Sequence, residues 1–266
     1  MTTLLGYDNL PPAVLAQLER VTAVWKAQLG SRLVGVYLHG SIALRAFCPD
    51  SGDLDLLVVV ENALTVPEKL ALAREIIRLD GQPCPLELSA LTRAEAAGWK
   101  TPGCCQFHYS DFWTERYLAR FQDPSVPLYV VDQPFPDADV TSYIRLLHQC
   151  GVVLYGPPAA DVFAPVSDED FWAAISADVD EYDFHSYNPR YLGSNVLILG
   201  RILSFKEEKR ILSKYEAGLW AAEHVPADLA YLLRRAMEIW FEGGQQTLPE
   251  ADLERLRCYL VAQIRA

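Results

Sequence analysis

Two aspartates at alternate positions, shortly after a Gly-Ser turn, are the residues of this chain best suited to metal and phosphate chemistry. Gly40-Ser41 ends one apolar run, and Asp53-Leu54-Asp55 opens the next after a gap of eleven residues. Side chains two apart on a strand share a face, so the two carboxylates project together. Mg²⁺ prefers such oxygen ligands, and glycine lets the backbone approach a phosphate closely. The spacing predicts a nucleotide site that holds two Mg²⁺ ions.

Each motif alone also has an ordinary structural explanation. An Asp-x-Asp at a strand start is commonly solvated, and a Gly-Ser pair is commonly a turn. Their combination, each beside an apolar strand, favours the metal–nucleotide interpretation. Glu87 in LELSAL offers a third carboxylate, and it faces away from both flanking leucines if the segment is a strand. The alternative for Glu87 is a single charge on an edge strand.

The elements that must position these residues alternate between strand and helix. Apolar runs predict strands over 32–38, 54–60, 85–91 and 151–155. Helical spacing predicts helices over 11–29, 67–79 and 138–150, with a turn and short helix over 39–47. Residues 97–136 receive no assignment. The pattern predicts an α+β fold with a small mixed sheet.

The pattern changes to helices alone after Gly156-Pro157-Pro158. We therefore predict two domains, 1–157 and 158–266, of which the second is an all-α bundle of about five helices. Capping boxes at Ser213–Glu216 and Thr247–Glu250 indicate where two of these helices begin.

Composition limits the class of protein. The chain has 266 residues, of which 51% are hydrophobic, and a net charge of −12. That charge argues against a nucleic-acid partner and is compatible with a cationic ligand. The six cysteines form no Cys-x-x-Cys pair, which argues against zinc and disulfide frameworks. With no signal peptide and no membrane span recognisable, we expect a cytoplasmic enzyme with no membrane partner.

The order of these segments resembles the aminoglycoside (3'')(9)-adenylyltransferases of the DNA polymerase β-like nucleotidyltransferase superfamily. VGVYLHGS, SGDLDLLVVV and LELSAL are similar to the superfamily's nucleotide and third-carboxylate motifs. DADVTSYIRLLHQCGVVLYGPP, NVLILGRIL and SKYEAGLWAAEHVP are similar to the narrower family, and the resemblance covers nearly the whole chain. It implies transfer of AMP from ATP to a hydroxyl of a spectinomycin- or streptomycin-type drug, with release of pyrophosphate.

The resemblance also implies roles for individual residues. Asp53 and Asp55 would be metal ligands, and Glu87 would be the third metal-site carboxylate and the general base. Nucleotide-binding residues would be Gly40, Ser41, Lys214 and Trp240. The helical domain would complete the nucleotide and acceptor site. For Lys214 a surface position, and for Trp240 a core position, are the alternatives.

One segment departs from the family pattern. Leu192, in Tyr191–Asn195, stands where the family has an acidic residue expected to meet a cationic drug. A nearby polar group could line an acceptor site or be a solvated helix end; its members are Asp178, Glu181, Asp183 and His185. We expect ATP and a small hydroxyl-bearing acceptor, cationic if it is an aminoglycoside, as partners of a monomer. Adenylyl transfer to a non-antibiotic molecule, or a nucleotide-binding regulatory protein, are the alternatives.

Overall fold

A computed structural model of the chain describes residues 3–177, 179–182, 189–243 and 248–266. The contacts divide the chain into two compact units. Leu5–Ala43 and Gly52–Phe171 form one, called the sheet unit here. The other, called the helical unit, consists of Met1–Leu4, Leu44–Ser51 and Trp172–Ala266. None of the described helices has both the length and the apolar character that crossing a membrane requires.

The sheet unit alternates strands and helices along the chain. Its strands are β1 Leu33–Leu38, β2 Leu54–Val60, β3 Leu86–Thr92, β4 Gly103–Cys105, β5 Phe107–Tyr109, β6 Phe135–Asp137 and β7 Val152–Tyr155. Its helices are α1 Pro12–Leu29, α2 Gly40–Ala43, α3 Val66–Leu79, α4 Arg93–Ala97, α5 Thr114–Gln122, α6 Tyr129–Asp132 and α7 Asp139–Cys150. The following helix, α8 Asp168–Ser176, starts in this unit and ends in the helical unit.

Five of these strands form a mixed sheet in the order β5-β3-β2-β1-β7. The β2–β3 pair is parallel, and β1–β2, β1–β7 and β3–β5 are antiparallel. Helix α3 is the crossover that a parallel pair needs. It begins at a capping box in which the Thr65 side chain accepts from the Glu68 backbone N–H. The predicted mixed sheet is therefore confirmed.

The short helix predicted over 39–47 ends earlier than expected. Helix α2 stops at Ala43, and Arg45 adopts a left-handed φ of 56°. A right-handed helix cannot continue through that conformation. The chain then leaves the sheet unit, because Leu44–Ser51 makes its contacts with the helical unit.

The helical unit contains helices that bury one apolar cluster. They are α9 Pro189–Glu208, α10 Lys214–His224, α11 Ala230–Glu242 and α12 Glu250–Arg265. The cluster includes Val196, Leu232 and Leu256 from the helices and Cys48 from the Leu44–Ser51 segment. The Cys48 thiol also donates to the backbone oxygen of Phe241 at 3.6 Å. The predicted capping box at Ser213 is present, whereas Thr247 lies outside the described residues.

Candidate active site

Three carboxylates meet at one end of the sheet. One ligand oxygen from each of Asp53, Asp55 and Glu87 lies within 4.8 Å of the others. Asp55 and Glu87 are direct register partners on the parallel strands β2 and β3. Asp53 immediately precedes β2, so its alternate position relative to Asp55 puts it on the same side. Strand pairing therefore brings together the three acids that the sequence separates by 34 residues.

Gly40 lies against this group of acids. It has a φ of +62°, and a Cβ at this position would come within 1.7 Å of the Asp55 Oδ2 atom. The neighbouring His39 backbone N–H donates to the Asp55 backbone oxygen at 3.0 Å. Both the backbone conformation and the available space therefore require glycine here.

Ser41 offers a hydroxyl group beside the same turn. Its Oγ atom is buried and has no hydrogen-bond partner among the described residues. A buried hydroxyl without a partner carries a desolvation cost, which a ligand oxygen can remove. The position suits an oxygen of a phosphate group.

The electrostatics of the group favour a cation. Burial, and then the charge of Asp53, raise the pKa of Glu87 to about 7, with smaller contributions from Asp139 and Asp137. The Tyr143 hydroxyl opposes this shift by donating to Glu87 Oε1 at 2.8 Å. Several negative charges close together, offered by hard oxygen atoms, are a donor set that fits Mg²⁺.

Four further residues of this neighbourhood have no assigned role in the sequence-based prediction. They are His39, Asp137, Asp139 and Tyr143. The sequence holds weak signals for them: His39 directly precedes the Gly-Ser turn, and Asp137 and Asp139 alternate where α7 begins. Asp139 and Tyr143 are four residues apart on α7 and so share a face of that helix. None of these signals predicts that the residues lie near Glu87. That proximity depends on how α7 packs against the sheet.

In the helical unit, Lys214 and Trp240 are brought together. Lys214 is the first residue of α10, and its Nζ atom lies 3.9 Å from the centroid of the Trp240 ring on α11. Both side chains are half-buried. The pair forms a cation–π contact whose ammonium group can also interact with an anion.

The proposed acceptor residues cannot be placed in the same way. Asp178, Asp183 and His185 lie outside the described residues. Glu181 ends a short 3-10 helix, Val179–Glu181, and only its backbone is described. Leu192 is 7% exposed and belongs to the apolar cluster of the helical unit.

Comparison with known proteins gives matches in sequence and in fold. Residues 161–263 match the family model for the C-terminal domain of aminoglycoside adenylyltransferase. An aminoglycoside (3'') (9) adenylyltransferase of Klebsiella pneumoniae is 24% identical over 261 residues, which cover 94% of this chain and 95% of that protein. A spectinomycin 9-adenylyltransferase of Staphylococcus aureus is 26% identical over 215 residues, which cover 78% of each chain.

A solved structure shares the fold over nearly the whole chain. It is the crystal structure of spectinomycin adenyltransferase AAD(9) from Enterococcus faecialis with ATP and spectinomycin. The TM-score is 0.81 at 21% sequence identity, and the match covers 95% of this chain and 99% of that one. At this identity the likeness establishes that the two chains share a fold.

Proposed function

We propose that this chain, which is similar to the aminoglycoside (3'')(9)-adenylyltransferases, transfers AMP from ATP to a hydroxyl of an aminoglycoside or aminocyclitol of the spectinomycin or streptomycin type. The observation that carries this proposal is the carboxylate triad beside Gly40 and Ser41. The names of the sequence relatives support the substrate class.

Asp53, Asp55 and Glu87 would hold two Mg²⁺ ions in this proposal. The clustering of their oxygens and the raised pKa of Glu87 support a site whose negative charge is not compensated unless cations are bound. When bound, Mg²⁺ would neutralise phosphate charge and make the acceptor hydroxyl more acidic.

Glu87 has the chemistry of a general base. It would accept the proton of the acceptor hydroxyl as that oxygen forms its bond to the α-phosphorus of ATP and the bond to pyrophosphate breaks. Bound cations would keep this carboxylate ionised and therefore able to accept a proton near neutral pH.

Gly40, Ser41, Lys214 and Trp240 would bind the nucleotide. The Ser41 hydroxyl would donate to a phosphate oxygen, and the Lys214 ammonium would pair with phosphate charge. A lysine at the first position of a helix opposes the helix dipole, so a bound anion would stabilise it there. The Trp240 ring restricts the Lys214 side chain and offers an aromatic surface on which the adenine ring of ATP could stack.

A second acceptor class is favoured by one observation. Leu192 is buried in the apolar cluster, so this position supplies no carboxylate for a cationic drug. The same transfer onto a different hydroxyl compound is therefore the second candidate. We propose the polar residues Asp178, Glu181, Asp183 and His185 as the acceptor-lining group in either case.

Pyrophosphate release from MgATP tests the proposal. We would measure it with spectinomycin, streptomycin and other aminoglycosides, using Glu87→Gln as the matched inactive control. Release stimulated by one drug in the wild-type protein alone would support the proposed reaction and acceptor. ATP binding with no stimulation by any drug would favour the second candidate, and binding without any transfer to other hydroxyl compounds would favour a regulatory protein.

The organisation of the protein is part of the proposal. We propose a cytoplasmic monomer, since ATP is supplied there, with domains at 1–157 and 158–266 and an all-α second domain. Light scattering would report the mass in solution. Limited proteolysis would show whether cleavage falls near Pro157 or near Phe171, where the contact-based division lies.

A further inference from the structure

Tyr143 contacts Glu87 from a helix outside the strands that carry the triad. Its hydroxyl donates to Glu87 Oε1 at 2.8 Å across 56 residues of sequence. Tyr143 lies on α7, whereas Glu87 is on β3. A hydrogen bond to a charged group is stronger than a neutral one and holds its acceptor in a defined direction.

The Tyr143 ring is itself supported by His39. The two rings stack with centroids 4.3 Å apart and an interplanar angle of 21°. His39 is 2% exposed, and its backbone N–H is bonded to the Asp55 backbone oxygen. The His39 Nε2 atom has no hydrogen-bond partner among the described residues, and one face of the His39 ring packs against Tyr143.

A series of contacts links Asp55 to Glu87. The His39 backbone is hydrogen-bonded to the Asp55 backbone on β2, the His39 ring stacks on the Tyr143 ring, and the Tyr143 hydroxyl donates to Glu87. Asp137 and Asp139 add further negative charge near Glu87, and the Tyr143 hydroxyl is a neutral group that donates a hydrogen bond to its carboxylate.

We propose that Tyr143, supported by the His39 ring, is a positioning residue that holds the Glu87 carboxylate in its working orientation. The inference rests on the proposed function, because it assigns Tyr143 an effect through the base of that reaction. Tyr143 does not itself exchange a proton with the acceptor. Loss of its hydroxyl therefore lowers the rate of transfer without removing the nucleotide site.

Tyr143→Phe tests this by keeping the ring and deleting the hydroxyl. We expect kcat to fall by roughly 10- to 100-fold, the scale of a misplaced catalytic group. The MgATP dissociation constant, measured by calorimetry, should stay within about twofold, since no nucleotide contact is lost. Tyr117→Phe is the matched control, because it removes a hydrogen bond that another tyrosine hydroxyl donates, in this case to the His108 backbone oxygen.

A double mutant separates positioning from a general structural effect. In a Glu87→Gln background, adding Tyr143→Phe should leave the residual kcat unchanged, because the group being positioned is already inactive. His39→Ala, which removes the ring stacked on Tyr143, should also lower kcat. The inference would be overturned if Tyr143→Phe lowered kcat by the same factor in the Glu87→Gln background as in the wild-type protein. It would also be overturned if Tyr143→Phe weakened MgATP binding by as large a factor as it lowered kcat.

A structural readout distinguishes this inference from the proposed function. If the wild-type protein transferred AMP to no acceptor, the proposed function would fail by itself. Crystal structures of the wild-type and Tyr143→Phe proteins without ligands would still decide the positioning role. We expect the Glu87 side chain to adopt a different rotamer in the variant, and an unchanged rotamer would contradict the role.

Discussion

Asp53, Asp55 and Glu87 are positioned by backbone pairing between strands, whereas Lys214 and Trp240 are positioned by the packing of two helices. A one-residue shift in strand register turns every side chain to the other face of the sheet, so the three carboxylates are either together or apart, with no geometry in between. A lysine over an aromatic ring keeps several rotatable bonds and can adjust. We therefore expect all-or-none effects in the triad and graded effects in the Lys214–Trp240 pair.

The largest effect is expected from Asp55→Asn. Removing one charged oxygen ligand should lower kcat by roughly 1,000-fold or more and abolish Mg²⁺-dependent ATP binding. Rates of pyrophosphate release and calorimetric titration with MgATP would measure this. Asp161→Asn, which removes an exposed aspartate of the sheet unit, is the control. Rates close to wild type in Asp55→Asn would show that the triad is not the metal site.

Gly40→Ala should have the next largest effect, because a Cβ there would come within 1.7 Å of Asp55 Oδ2. The displaced carboxylate should reduce kcat/KM for ATP by roughly 100-fold. Gly81→Ala is a close control: Gly81 has a φ of +68°, but a Cβ at this position would meet nothing within 4 Å. Both variants should lose about 1–2 kcal/mol of stability from the left-handed backbone. Equal activity in the two would separate Gly40 from the triad.

Lys214→Gln should give a smaller, graded effect. We expect KM for MgATP to rise by roughly tenfold with kcat little changed, which is the pattern of a lost binding contact. Lys209→Gln is the control, since Lys209 also lies over aromatic rings of the helical unit, at 5.2 Å from that of Phe205. A kcat loss as large as that of Asp55→Asn would remove the contrast between the two regions.

The smallest effect concerns stability without metal. The pKa of Glu87 is about 7 in the folded chain against an ordinary 4.5, so the folded state holds this proton more tightly. The wild-type protein should therefore lose stability as pH rises from about 4.5 to 7, by at most about 3 kcal/mol. The Glu87→Gln variant should not show this loss of stability, because its side chain does not titrate.

The measurement is a pair of melting curves in EDTA at pH 5 and pH 8. The melting temperature of Glu87→Gln relative to wild type should be higher at pH 8 than at pH 5. Glu223→Gln, at an exposed position on α10, controls for the loss of one negative charge. A difference that is the same at both pH values would mean that the triad does not hold the Glu87 proton.

Much of the scaffold was predictable from local pattern. The predicted strands at 54–60 and 85–91 agree with β2 and β3 within one residue, because alternation and apolar runs are properties of a single segment. The capping box at Ser213 was also recognisable, since its hydrogen bonds join residues three apart. By contrast, β4, β5 and β6 in the unassigned part have three residues each, too few to show a period.

The sequence by itself determined strands β1, β2, β3 and β7, the alternate placement of Asp53 and Asp55, and the glycine that fits beside them. Tertiary structure decided which distant groups surround them. Tyr143 reaches Glu87 across 56 residues, and Cys48 reaches Phe241 across 193. The chain segment that joins Ser41 to Asp53 packs mainly with the helical unit, although no local signal marks it. The physical reason is range: periodicity and capping act within a few residues, whereas these contacts exist only after helices and strands have packed.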